Sequence, residues 1–150
     1  MEIEKELRQN VKFSSEYQKL TVNILFTASW LGVILARKLK PFGLTIQQYN
    51  ILRILRGQHP NPATINMLIE RMFDKSSNAS RLVERLLKKT FVERYLNASD
   101  KRSVHVKITE KGLLLLQQID DQFKNFDLEL QNITKEEARE MSRLLDKLRG

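Results

Sequence analysis

The chain has 150 residues, with 26 lysines and arginines against 18 aspartates and glutamates, a formal net charge of +8 and no cysteine. That length suits one domain and lets about 68–70% of the unfolded surface be buried, so a core without metal or disulfide is feasible. The missing thiols exclude disulfides, thiolate catalysis, Cys-based zinc sites and thiol redox sensing, and His59 and His105 show no metal-ligand spacing, so neither metal nor cofactor is expected.

The basic balance favours polyanionic partners, either nucleic acid or an anionic membrane. At the N-terminus Glu2, Glu4, Lys5, Glu6 and Arg8 precede any apolar run. That order is unlike a secretory signal, and a cytoplasmic chain is expected. Residues 3–13 suggest a short helix with Ile3, Leu7 and Val11 on one side. A long helix follows over about 16–39 and stops at Pro41. Its stretch Leu20–Ala36 carries no charge but is short for a membrane span, which takes about 20 residues, and it contains Thr21, Asn23, Thr27 and Ser29. A helix apolar nearly all round is expected to be buried, with no membrane partner.

"LTIQQYNILRIL" opens with a capping box, in which Thr45 accepts from the Gln48 amide and Gln48 reaches back. Ile51, Leu52 and Leu55 then recur at helical spacing until "HPNP" breaks the helix. Thr64 starts the next one, with Ile65, Leu68, Ile69 and Met72 on its apolar side. A turn near Phe73–Lys75 leads to another helix, expected from about Ser76 to Lys89.

The period then changes to two. Val104, Val106 and Ile108 share one strand face, and His105 and Lys107 the other. Residues 91–96 are the expected partner strand, and Asn97–Ser103 closes the hairpin. Beyond it, Leu116, Ile119, Phe123, Phe126 and Leu130 alternate steps of three and four, a heptad seam. "TKEE" at 134–137 is a second capping box, and Ala138, Met141, Leu145 and Leu148 continue an apolar stripe. A bundle of two chains would bury the first and last helices together.

The order helix, turn, helix, hairpin frames a function. In the second helix Ala79, Leu82, Val83 and Leu86 should pack inward, while Ser77, Asn78, Arg81, Arg85 and Lys88 form another side. Small polar residues near a helix N-terminus can meet base edges in a major groove. Arg can grip guanine through two hydrogen bonds and Asn can do the same with adenine. Lys88 and Lys89 would neutralise phosphates, and Arg102 at the hairpin tip would suit a narrow minor groove, with Asp100 orienting a cation. Each feature alone is explained as well by a solvated surface. An enzyme is not expected, because no phosphate loop, nucleophile elbow or metal triad is present. Asp120–Asp121 and Glu136–Glu137 are adjacent on helices, do not face each other, and are expected to be solvated.

Four stretches together resemble the MarR family of winged-helix transcriptional regulators. "LTIQQYNIL" is similar to the opening of its helix before the helix-turn-helix, and "DKSSNASRLVERLLKK" to its recognition helix. "DKR" at 100–102 matches the wing's D-x-R, and "ITEKG" at 108–112 matches the end of the wing. The resemblance covers about 17–149 and is densest over 44–112. It implies a mainly α fold with a small β-hairpin wing, in a single domain over 1–150. Dimerisation helices would occupy about 1–40 and 113–150, around a winged helix-turn-helix lobe at 44–112. It implies a homodimer on a pseudo-palindromic double-stranded operator, with repression as the expected outcome. Thr64, Ser76, Ser77, Asn78, Ser80, Arg81, Arg85, Lys88, Lys101 and Arg102 would lie at or near DNA. Family members often respond to small aromatic or anionic molecules bound beside the dimerisation helices. Phe26, Trp30, Arg37 and Tyr49 are the candidates here, with core packing and a solvated cation as the plain alternative. The rival function is a winged helix used for protein–protein contact without specific DNA binding.

Two departures from the family pattern carry expectations. Thr90 stands where Gly is common, and a β-branched residue resists a left-handed cap, so the helix is expected to end differently. The turn between the paired helices lacks its usual Gly, and Phe73 is expected to fill that corner.

Overall fold

Glu2 leads into a single turn, α1 (Ile3–Glu6), whose Ile3 is buried. The structure is a computed structural model and describes residues 2–97, 100–124, 126, 130 and 132–150; of residues 96, 97 and 100–103 it describes the backbone alone. The helix expected over 3–13 is thus shorter. Arg8 takes a φ of 50°, which ends it, and Val11 stays exposed. Ser15 accepts from the Gln18 amide and starts α2 (Glu16–Leu39). A 3-10 turn (Lys40–Phe42) and Gly43 at φ 65° then redirect the chain.

The capping box forms as the spacing predicts, with Gln48 N to Thr45 Oγ1 at 3.2 Å and Thr45 N to Gln48 Oε1 at 3.1 Å. It opens α3 (Ile46–Gln58), the central helix, which buries Tyr49, Ile51, Leu52 and Leu55. Next come β1 (Ala63–Thr64), α4 (Ile65–Arg71) and α5 (Ala79–Lys88). The hairpin is β2 (Val92–Asn97) with β3 (Asp100–Ile108), and the antiparallel sheet has the order β1-β3-β2. Its second strand begins earlier than the expected closing loop over Asn97–Ser103 allows. Val92 pairs with Ile108 and Arg94 with Val106, so one face of the ribbon enters the core. Two long helices follow among the described residues, α6 (Glu110–Phe123) and α7 (Lys135–Arg149). The fold is mainly α with a small sheet, as expected.

One core joins these elements. Leu39 of α2, Leu52 and Leu55 of α3, Leu68 of α4, Leu86 of α5, Val106 of β3 and Leu116 and Ile119 of α6 are almost wholly enclosed. The heptad seam does not run through one helix. α6 ends at Phe123, and Leu116, Ile119 and Phe123 pack on the chain's own core. The second capping box then starts α7 at Thr134.

The expectation of a buried long helix fails within one chain. Of α2 only Leu39 is buried, while Leu25 is 66% and Val33 57% exposed. By length and composition residues Glu16–Phe42 could cross a membrane. No residue of α7 is buried, and Met141, Leu144 and Leu148 face outward. The pattern marks apolar faces correctly but does not say which molecule covers them.

Both departures also resolve differently. Thr90 does adopt the left-handed conformation, at φ 63°. Its carbonyl accepts from Thr109 Oγ1 at 2.8 Å, and its hydroxyl accepts from Lys111 Nζ at 2.8 Å. These bonds hold a corner that a bare Gly would adopt freely. Phe73 does not fill the turn: its ring is 76% exposed. The corner is closed instead by Asn50, 5% exposed, whose Oδ1 accepts the Phe73 amide at 3.0 Å.

Candidate nucleic-acid interface

α5, the helix expected to read DNA, begins three residues later than expected. Asn78 is its N-cap, and Asn78 Oδ1 accepts from the Arg81 amide at 3.0 Å. Ser76 and Ser77 therefore lie in the preceding turn. There Asp74 gathers them: it accepts from Ser76 N at 3.0 Å, Ser76 Oγ at 2.5 Å and Ser77 Oγ at 3.1 Å. These bonds, first that of the Ser76 hydroxyl, hold the Asp74 carboxyl below the usual carboxylate range. Two hydroxyls that the sequence offers to bases are thus already engaged with a carboxylate.

Ser80, Arg81, Arg85 and Lys88 are exposed on α5, whose opposite face buries Ala79, Val83 and Leu86. Among the described residues, no hydrogen bond or ion pair engages the guanidinium of Arg81 or Arg85 or the ammonium of Lys88. An exposed face of unpaired cations beside a small polar N-cap suits an anionic partner. Thr64 caps α4, its Oγ1 accepting from Met67 N at 3.2 Å, and it pairs with His105 across the sheet. It thus sits at the start of the first helix of the pair.

Two groups missed in the sequence complete the surface. Gln47, at the second position of α3, joins Ser77, Asn78, Arg81, Leu82 and Arg85 around a recess of about 180 Å³. Its neighbour Gln48 serves the capping box, and that role gave no sign that Gln47 faces α5. Leu82, read as inward, is only half buried and supplies the recess with its one apolar side chain. Glu84 on α5 and Arg94 on β2 form an ion pair, which ties the wing to the helix. Nothing in the strand alternation signals that contact. Lys107 lies 4.1 Å over the Tyr95 ring on the outer face of the ribbon. The side chains of Lys101 and Arg102 lie outside the described residues, as does that of Asp100; their backbone belongs to β3, the second strand of the wing.

The four ligand candidates do not share a cavity. Tyr49 is buried and packs edge-on against Phe123, with ring centroids 5.8 Å apart, and burial raises its phenol pKa. Trp30 and Phe26 lie along α2, with Trp30 largely exposed. Arg37 alone of the four lines the open cleft of about 650 Å³ between the end of α2 and the start of α3, beside Lys40, Leu44 and Ile46. Of the paired carboxylates, Asp120 is not merely solvated: Arg56 Nη1 reaches its Oδ2 at 2.5 Å and joins α3 to α6.

Comparison with known proteins agrees with this architecture. The MarR family model matches residues 42–103, which hold the helix pair and most of the wing. The HTH-type transcriptional regulator SarZ of Staphylococcus epidermidis is 30% identical over 103 residues, covering 69% of this chain and 68% of that protein. A MarR-like transcription regulator from Bacillus cereus superposes with a TM-score of 0.78 at 25% identity, over 89% of this chain and 95% of the other. A variant of MarR from E. coli complexed with operator DNA superposes with the same TM-score at 26% identity, over 92% and 99% of the two chains. With this fold, this helix pair and these matches, the chain belongs to the MarR family of winged helix-turn-helix transcriptional regulators.

Proposed function

We propose that the chain regulates transcription as a homodimer that binds a pseudo-palindromic operator, most simply as a repressor. α5 enters the major groove, and the β2–β3 wing lies along the adjacent minor groove with Arg102 at its tip. Arg81, Arg85 and Asn78 read or grip bases, Thr64 and Lys88 meet phosphates, and Ser76, Ser77, Ser80 and Lys101 border the duplex. The single observation that carries this is the cationic face of α5, unpaired among the described residues, with Arg81 and Arg85 one turn apart beside the Asn78 cap. The likeness to MarR complexed with operator DNA supports it.

Selection of bound fragments from the source genome tests it. A specific operator should emerge, and log K should fall steeply with log salt, because phosphate neutralisation releases counterions. Phe73 is the exposed aromatic next to this face that a protein partner would use. Indifference to salt and to sequence would favour such a partner. Release by a small anionic or aromatic molecule belongs to the same proposal, with Arg37 and Lys40 beside the cleft as its cations. Aromatic carboxylates titrated against the operator complex should then displace the protein; none doing so would remove the ligand from the proposal.

A further inference from the structure

The recess between α3 and α5 has an unusual mixture of walls. Leu82 is its apolar surface, and Gln47, Asn78, Arg81 and Arg85 supply polar ends around it. Among the described residues, the Gln47 amide engages no protein partner, and Asn78 uses only its oxygen, to cap α5. Free donors and acceptors on a solvated surface need no explanation. Here they converge with an exposed part of a leucine, from two different helices, on one concavity of about 180 Å³.

In the major groove only the A·T pair combines an apolar group with a paired donor and acceptor. Thymine offers its C5-methyl and O4, and adenine offers N7 and the N6 amino group. A carboxamide is the side chain that matches adenine through two hydrogen bonds, and an aliphatic surface is what the methyl requires. Guanine and cytosine would leave the leucine facing polar edges.

Given operator binding as proposed above, we propose that this recess reads a T·A pair, with the thymine methyl against Leu82. Gln47 is then a base-reading residue that stands outside the recognition helix. It sets specificity at a position beyond the reach of α5 alone.

The test uses the full chain and the selected operator. Each thymine is replaced in turn by deoxyuridine, which removes the methyl and leaves the pairing intact. Wild-type protein should lose about 10-fold in affinity at one position per half-site, the low end of what a methyl group is worth in an apolar pocket. Gln47→Ala should relax the preference for that pair over G·C, and Leu82→Ala, which removes the apolar surface, should blunt the deoxyuridine effect. The wild-type series needs no variant to fold. Tight operator binding with no thymine sensitive to the exchange overturns the inference and leaves the proposed function standing. A sensitive thymine whose effect is unchanged in Leu82→Ala, or a preference for that pair over G·C unchanged in Gln47→Ala, also overturns it, since the pair is then read elsewhere. Failure to select any operator would instead remove the function on which it rests.

Discussion

Thr90 keeps a left-handed backbone at φ 63°, a conformation that costs an L-residue about 1–2 kcal/mol. What its side chain adds in compensation is the exposed bond from Lys111 Nζ to its hydroxyl, worth little net, since the Thr109 hydroxyl donates to a backbone carbonyl that any residue offers. Strain should therefore outweigh the bond. Thr90→Gly is expected to stabilise the fold by about 0.5–1 kcal/mol, less than the full strain because Gly is freer when unfolded. Urea unfolding measures it, and a loss of stability would show that the hydrogen bond dominates. Gly112 is the opposite case. A Cβ there would collide with the Phe91 carbonyl oxygen and stand 2.7 Å from Ile108 Cγ1. The backbone at the base of the wing cannot easily retreat. Gly112→Ala should cost about 1–3 kcal/mol, as overpacking does. An unchanged midpoint would mean that the wing slides on its base. This explains in physical terms the glycine of "ITEKG", which the sequence presents only as a motif.

At the scale of elements, the starts of helices were legible and the covering of their faces was not. Ser, Thr and Asn caps are local chemistry, so Thr45, Thr64 and Thr134 begin helices where spacing predicts. The start of α5 was misplaced because Ser76, Ser77 and Asn78 are all acceptable caps. Asp74, two and three residues before them, engages both serines in a local turn and leaves Asn78 as the cap. The exposed cationic face of α5 was legible from Arg81 and Arg85 because helical spacing alone sets it. Gln47 was not, since its place beside α5 depends on how two helices pack. Arg94 was not either, since its pairing with Glu84 joins a strand to a helix. The capping box of α3 gives a direct check. Gln48 is 3% exposed and the helix is central to the core, so fraying cannot be absorbed by solvent. Thr45→Ala should cost about 1 kcal/mol in chemical unfolding. A difference of only a few tenths would mean that core packing alone fixes the start of α3.

For the whole molecule, the apolar surfaces of α2 and α7 are its largest unsolved cost. Leu25 at 66% and Val33 at 57% exposure lie on a helix with few charges, and Leu148 of α7 is 57% exposed. Water-exposed apolar area of that extent marks an interface. A second copy of the chain is the cover that the proposed function requires, since two recognition helices must be held at a fixed separation. Dimer contact and DNA contact would then rest on different forces. Apolar burial is indifferent to moderate salt, whereas binding to phosphates weakens as counterions compete. Sedimentation at rising salt should show the protein leaving its operator while the dimer persists. Leu25→Glu should do the reverse: it should yield a folded monomer, by circular dichroism, at low salt. That monomer should also bind a half-site weakly, because the second recognition helix no longer acts at high effective concentration. If Leu25→Glu remained dimeric, the dimer would have to use another face. If it became monomeric yet bound the full operator as tightly as the parent chain, each lobe would act alone and two-fold operator symmetry would have no role.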